Sequence, residues 1–193
     1  MKLRTKLTVL LLALLVLLGA ANVALAERAG DFEYRIENGE AIITGYTRNV
    51  RVVTIPSTLG GYPVTTIGNR AFSGRSGLTE ITFPDSVTTI GDYAFSGCRS
   101  LTSITLPDSE LTIGKGAFYY CSSLTMISIP KSVTSIGMDA FSGCSSLTIV
   151  NSNAQAALDY NWGSGVQVCR FEGDFSYGIS GGQASTCSAR HST

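Results

Sequence analysis

The sequence predicts a repeat solenoid, mainly β with short helical turns, built from 23-residue units. Three observations carry this. A phrase is written three times in succession: LTEITFPDSVTTIGDYAFSGCRS from Leu78, LTSITLPDSELTIGKGAFYYCSS from Leu101 and LTMISIPKSVTSIGMDAFSGCSS from Leu124. A fourth start, LTIV at Leu147, follows at the same spacing of 23 residues. Within each copy, short β-prone runs alternate with turn residues. A fixed period of this length means stacked copies of one small unit, each covering its neighbour's apolar face.

Residues 1–26 read as a secretory signal peptide. Lys2, Arg4 and Lys6 form a basic start, Leu7 to Leu18 is nearly all leucine, and Ala24-Leu25-Ala26 is a small-x-small cleavage site. The alternative is an uncleaved anchor, because Leu7 to Ala26 is about long enough to span a bilayer. Asn22 and the Ala-rich end favour cleavage. The expected localisation is therefore secreted or cell-surface, with no membrane span after cleavage.

Residues 27–49 predict an N-terminal β-hairpin cap. Phe32, Tyr34 and Ile36 alternate on one side of Asn38-Gly39, with Ile42 or Ile43 and Tyr46 on the other. Asn-Gly between two β-prone runs is the strongest short hairpin signal. The array proper occupies residues 50–146 as four units. Its first unit is longer, because Leu59-Gly60-Gly61-Tyr62-Pro63 is inserted and carries turn signals. Residues 147–169 predict a degenerate repeat and C-terminal cap. There Asn153 would N-cap a short helix ending near Gly163, and Val166 and Val168 would add a last strand. Residues 170–193 are Ser, Gly and Thr without periodicity and suggest a flexible tail.

One unit shows how the coil works. Leu101, Ile104 and Leu106 follow an L-x-x-I-x-L pattern that in leucine-rich units faces inward. The strand ends at Pro107, which cannot donate a ladder hydrogen bond, and Asp108-Ser109 makes the corner. A second strand ends at a glycine, Gly91 in the preceding unit, expected to take an unusual backbone angle. Ala117-Phe118 and Cys121 close the coil as a tight helical turn. Leu78, Leu101, Leu124 and Leu147 should form one internal column, and Phe72, Phe95, Phe118 and Phe141 another. Each large apolar side chain, once covered by its neighbours, stabilises by roughly 1.5–3 kcal/mol.

Cys98, Cys121 and Cys144 share one place in successive units and read as stacked, buried thiols. Disulfides between neighbours are the alternative, but they need tighter geometry than stacking guarantees. Cys169 and Cys187 lie outside the array and could pair or stay free. Without Lys2, Arg4 and Lys6, 11 basic residues face 14 acidic ones. A mildly acidic chain without basic clusters argues against nucleic acid.

Catalysis has little to stand on. The one histidine, His191, lies in the tail. No metal-ligand spacing, nucleophile–base arrangement, phosphate loop or dinucleotide fingerprint is present. Asp85 and Asp108 recur at a corner, where a turn-forming role suffices. Neither an enzyme activity nor a cofactor or metal is expected.

The motifs ITLPDS, SIG and AFSGC over Val50 to Ser146, with the upstream ENGEAIITGYT and IPSTLGGYPVTTIG, resemble the BspA-like leucine-rich repeat family of bacteria. The resemblance implies a secreted or cell-surface protein whose repeats bind other proteins. Family members are associated with adhesion to matrix proteins and other cells.

Candidate contact residues are the places where copies disagree or face outward. Glu110 stands where Val87 and Val133 stand, followed by Leu111 in place of Thr88 and Thr134. A local twist would turn Leu111 inward and Glu110 outward; the alternative is a charged spot on the strand. Tyr119 and Tyr120 replace Ser-Gly pairs and are either an exposed interface or packing between units. Val52, Glu80, Ser103 and Met126 form one outward row of the first strand, and Thr54, Thr82, Thr105 and Ser128 the next. These rows are either a ligand surface or solvated strand with good β propensity. The expected function is non-catalytic binding of an extracellular or cell-surface protein, or glycan, by a monomer. The competing class is a spacer or display module, or a fragment of a larger surface protein.

Overall fold

The computed structural model describes residues 26–152, 167–172, 175–180 and 183–186. Each coil of the array has three walls, and all three are hydrogen-bonded to the coils above and below.

The first wall is a sheet of short parallel strands: β4 (Val52–Thr54), β7 (Glu80–Thr82), β9 (Ser103–Thr105), β11 (Met126–Ile129) and β13 (Ile149–Ser152). Ile81 pairs with Ile104, and Thr54, Thr82 and Thr105 follow one another in register. The second wall stacks β6 (Tyr62–Ile67), β8 (Thr89–Ile90), β10 (Thr112–Ile113) and β12 (Ser135–Ile136), also in parallel. Here Ile67, Ile90, Ile113 and Ile136 are register partners. Strands this short alternate in burial, so one residue of each pair points inward to the core.

The third wall differs from the expected helical turn, and among the described residues no helix forms. Every second amide reaches the next coil. Arg70, Phe72 and Gly74 N–H donate to the carbonyls of Asp92, Ala94 and Ser96, at 3.0, 2.8 and 2.8 Å. The same ladder runs from Tyr93, Phe95 and Gly97 to Lys115, Ala117 and Tyr119, and from Gly116, Phe118 and Tyr120 to Met138, Ala140 and Ser142. The intervening amides close i→i+3 turns inside the coil, as Ala71 to Gly68 and Ser73 to Arg70. Left-handed φ angles occur at Arg70, Tyr93, Gly116 and Asp139 (59, 55, 58 and 58°) and again four residues on, at Gly74, Gly97, Tyr120 and Gly143, at the two ends of this run of amides. A helix would turn all of them along its own axis and leave the coils unbonded there.

Between the walls lie the predicted columns. Leu78, Leu101, Leu124 and Leu147 are buried, as are Phe72, Phe95, Phe118 and Phe141. Neighbouring phenylalanine rings stack with centroids 5.1, 5.3 and 5.2 Å apart. Tyr46 continues the column at 5.2 Å from Phe72, and Phe32 lies 5.0 Å beyond it. The hairpin is thus joined to the array through its core as well as its edge.

Gly91 does not supply an unusual backbone angle; the left-handed glycines lie elsewhere. Its role is close approach. A Cβ there would sit 2.5 Å from Asn69 Oδ1 and 2.9 Å from the Asn69 nitrogen. At Gly137 it would sit 2.5 Å from the Lys115 nitrogen. Stacked corners leave no room for a side chain at this position. The corner is further tied by Asn69 Oδ1, which accepts the Asp92 amide at 2.9 Å, and by Asp92 Oδ1, which accepts that of Lys115 at 2.8 Å.

At the N-terminal end, β2 (Phe32–Glu37) and β3 (Glu40–Tyr46) form the hairpin about Asn38-Gly39, with β1 (Glu27–Ala29) on its outer edge. β3 pairs in parallel with β6. The inserted residues make a second small hairpin: β5 (Thr58–Leu59) pairs antiparallel with β6 across Gly60 and Gly61, at φ 60 and 87°. Successive positive φ values are what a two-residue hairpin needs. At the other end, β14 (Gln167–Glu172) pairs in parallel with β13 and places Val168 against Val150. β15 (Phe175–Ser180) and β16 (Gln183–Thr186) then extend the sheet antiparallel. Strands therefore occupy much of the stretch whose composition suggested a tail. The expected helix after Asn153 and the signal segment fall outside the described residues. Among the described residues no helix is long and apolar enough to cross a membrane.

Candidate protein-binding surface

The first wall presents the two outward rows as read from the sequence. Val52, Glu80 and Ser103 are register partners and exposed, and Met126 continues the row half-exposed on β11. In the second row Thr54, Thr105 and Ser128 are exposed and Thr82 half-buried. The Thr82 hydroxyl donates to that of Thr54 at 3.3 Å. At the wall's margin, Thr79, Thr102 and Thr148 hydroxyls each donate to a carbonyl of the preceding coil, at 2.8, 3.2 and 3.4 Å. Those hydroxyls serve the stack rather than a ligand.

Glu110 points to solvent and Leu111 is fully buried, as the local-twist reading expected. The corner adjusts to allow it. Val87 and Val133 amides donate three residues back to proline carbonyls, whereas Leu111 donates to Ser109, at 2.6 Å. Leu111 thereby fills the space that valine fills in the neighbouring coils, and no carboxylate is buried.

The third wall gathers an aromatic cluster. The Tyr119 and Tyr120 rings meet at 87° with centroids 4.5 Å apart, and Tyr93 of the preceding coil meets Tyr119 at 86° and 6.4 Å. The Arg70 guanidinium, one coil further back, lies 5.7 Å from the centre of the Tyr93 ring. Tyr120 is 51% exposed and Tyr119 half-buried. The rings pack between units and still face solvent. The Tyr119 phenol is pushed up from its ordinary value, first by its hydrogen bond with Tyr120 and further by the Asp139 carboxylate. Met138, on the coil beyond, is 70% exposed.

Tyr120 has φ 56°, where Gly74, Gly97 and Gly143 occupy the matching place. A non-glycine residue there is strained by about 1–2 kcal/mol. Its ring lies over Gly143, where an added Cβ would come within 2.9 Å of it. Sequence reasoning found the two adjacent tyrosines because they broke the repeat. It missed Tyr93 and Arg70, which stand at a position that differs in every coil and gives no repeat signal.

The array cysteines are free thiols and buried. Each donates to the phenylalanine carbonyl of the preceding coil: Cys98 to Phe72, Cys121 to Phe95 and Cys144 to Phe118, at 3.2, 3.3 and 3.2 Å. Burial pushes the Cys98 thiol up to about 12, and Cys121 is pushed up by its hydrogen bond with Cys144 and by burial. Cys98 and Cys121, held protonated, are poor nucleophiles and poor metal ligands, whereas Cys144 is pushed down by its hydrogen bond with Cys121. Among the described residues no group of His, Cys, Asp or Glu is placed to hold a metal ion.

Parallel strands stacked around Leu, Ile and Phe columns define a leucine-rich-repeat solenoid. The model of the BspA-type leucine-rich repeat region matches residues 45–160 in six copies, extending past both ends of the four units read from the sequence. The chain belongs to this family. A leucine-rich repeat protein from Bacteroides capillosus is 32% identical, with a TM-score of 0.58, over 65% of this chain and 96% of that one. The T. pallidum leucine-rich repeat protein is 28% identical, with a TM-score of 0.53, over 66% of this chain and 72% of that one. No curated protein matches the chain.

Proposed function

We propose that the protein is an exported, non-catalytic binding module whose repeat array docks a protein outside the cell. The observation that carries this is the third-wall tyrosine cluster. It is solvent-facing aromatic surface, held in part by a strained backbone that the other coils avoid with glycine. The core needs no such residues, because its columns are complete without them. Family membership and the N-terminal segment read from the sequence as an export signal support an extracellular setting, secreted or at the cell surface. The first-wall rows would flank the contact, with Glu80, Thr82, Ser103, Thr105 and Ser128 as its polar rim, Met126 as an apolar spot within it and Glu110 outside it.

The test is a pull-down with the secreted chain against a panel of extracellular matrix proteins and neighbouring-cell surfaces. Retention of a partner, lost with Tyr119→Ala/Tyr120→Ala, supports binding through the third wall. Loss instead on charging Thr82 and Thr105 moves the contact to the first wall. An empty panel would favour a spacer or display module. That second reading draws on the threonine hydroxyls already spent on backbone carbonyls.

A further inference from the structure

The tyrosine cluster has a chemistry more specific than apolar contact. An aromatic face is electron-rich, and a cation within about 6 Å of the ring centre is attracted to it. The molecule already uses one face in this way, through the Arg70 guanidinium on Tyr93. Tyr119 stands perpendicular to both Tyr93 and Tyr120, so the rings present faces in two directions within one small area. On the next coil Asp139 is exposed, at a left-handed position that follows Arg70, Tyr93 and Gly116 in the same column. Its carboxylate is close enough to act on the Tyr119 phenol. The column thus runs from a cation, through the Tyr93 ring and Gly116, to an anion, with Tyr119 and Tyr120 beside it.

Gly116 is part of the arrangement. The Tyr93 ring lies over it, so closely that a Cβ at Gly116 would collide with the ring edge. Tyr120 leans over Gly143 in the same sense. Both rings are therefore supported from below by backbone, which fixes them before any partner arrives and lowers the entropy lost on binding.

We infer that the Tyr93–Tyr119–Tyr120 cluster, with Asp139 at its margin, takes an arginine side chain from a basic segment of the protein partner. This rests on the protein-binding reading above. Guanidinium is favoured over ammonium because it is planar, stacks on rings and is weakly hydrated. Charge complementarity points the same way: Asp139 can pair the guanidinium that the rings stack.

The experiment uses the full mature chain and a fluorescein-labelled Gly-Arg-Gly-Arg-Gly-Arg peptide, followed by anisotropy at physiological salt. Matched lysine and citrulline peptides and a neutral oligosaccharide are the controls. The expected order is arginine tightest, then lysine, with citrulline weaker than arginine by about tenfold. Tyr120→Gly should weaken the arginine peptide by about tenfold while the Tm stays unchanged or rises, since it installs the residue the other coils use at this φ. Tyr119→Ser, the residue of the neighbouring coils, should weaken it similarly, and Asp139→Asn by a few-fold. Equal binding of arginine and citrulline peptides overturns the inference. So does Tyr120→Gly without effect, or an oligosaccharide that binds in their place and is lost with Tyr120→Gly. A partner in the pull-down that Tyr120→Gly still retains leaves the protein-binding reading standing and sinks this one. An empty pull-down beside an arginine peptide that binds and is lost with Tyr120→Gly supports the arginine site and removes only the partners on the panel.

Discussion

Coil two (Leu78–Ser100) and coil three (Leu101–Ser123) bury the same columns and differ on the outside. Leu78 matches Leu101, Ile81 matches Ile104, Phe95 matches Phe118 and Cys98 matches Cys121, all buried. Both coils send three third-wall amides to the next coil. Outside, tyrosine and glycine trade places. Coil two has Tyr93 and Gly97 at its left-handed positions, and coil three has Gly116 and Tyr120. Each ring leans on a glycine of the coil that follows. An exterior change in one unit is therefore matched in the next unit, although the core repeats without regard to either. The interior of such a stack is set by self-complementarity, and on the third wall a large ring at a left-handed position is matched by a glycine in the coil that follows.

The largest test of this comparison removes the shared part. Phe95→Ala and Phe118→Ala should each cost about 3–5 kcal/mol in denaturant unfolding, because each ring stacks on two neighbours and its loss leaves a cavity between coils. The two costs should be close to each other. A much milder Phe118→Ala would mean that coil three is held by its exterior aromatics.

A smaller effect probes the paired exterior. Gly116→Ala introduces a Cβ at φ 58° and into the Tyr93 ring. Stability should fall by about 1–3 kcal/mol, and affinity for the arginine peptide should fall with it as Tyr93 is displaced. Gly116→Ala with Tyr93→Ala should recover part of the stability and none of the affinity. Recovery of both would dissolve the pairing.

The sequence made the interior legible because identical neighbours impose identical requirements. Leu, Ile, Phe and Cys recur at one spacing and fall in register, and the outward fate of Glu110 followed from the cost of burying a carboxylate. The rest depends on contacts between unlike residues. Tyr46 and Phe32 continue the phenylalanine column from the hairpin, where no repeat spacing marks them. The Gly91 column looks like a conformational requirement in one unit and shows itself as a steric one only when two corners are stacked. The third wall was misread as helical because Ala-Phe and small residues suit a helix. The bonds to adjacent coils outweigh that local preference, and they are invisible in any single unit.

The thiol column gives a pH-dependent test. The Cys98 thiol rises from its ordinary 9.0 to about 12 on folding, through desolvation. A proton held by the folded chain and lost by the unfolded one makes stability whole below about pH 9 and progressively lost as pH rises toward about 12. The slope per thiol is at most about 1.4 kcal/mol per pH unit. Cys98→Ala should flatten the alkaline limb of a plot of stability against pH. At pH 8 the native array thiols should resist a thiol-specific disulfide reagent and react once urea unfolds the chain. Fast reaction of the native thiols would show that the stack opens locally.

The smallest expected effect is at the corner where the two coils diverge. Glu110→Val restores the residue type of Val87 at the matching place, yet it should change stability by no more than about 0.5 kcal/mol. Glu110 is exposed and Leu111 already fills the interior space, so a valine at 110 would find no room inside. Leu111→Ala alone should cost about 2–4 kcal/mol by emptying that space. The double change Glu110→Val/Leu111→Thr recreates the coil-two sequence and should return stability to near the original value, with the valine turned inward and the Val87-type amide bond to the proline carbonyl re-formed. Strong non-additivity between the two positions is the signature, since residues competing for one site cannot contribute independently. Additive costs would mean that the corner of coil three is fixed by its own backbone and not by which side chain fills the core.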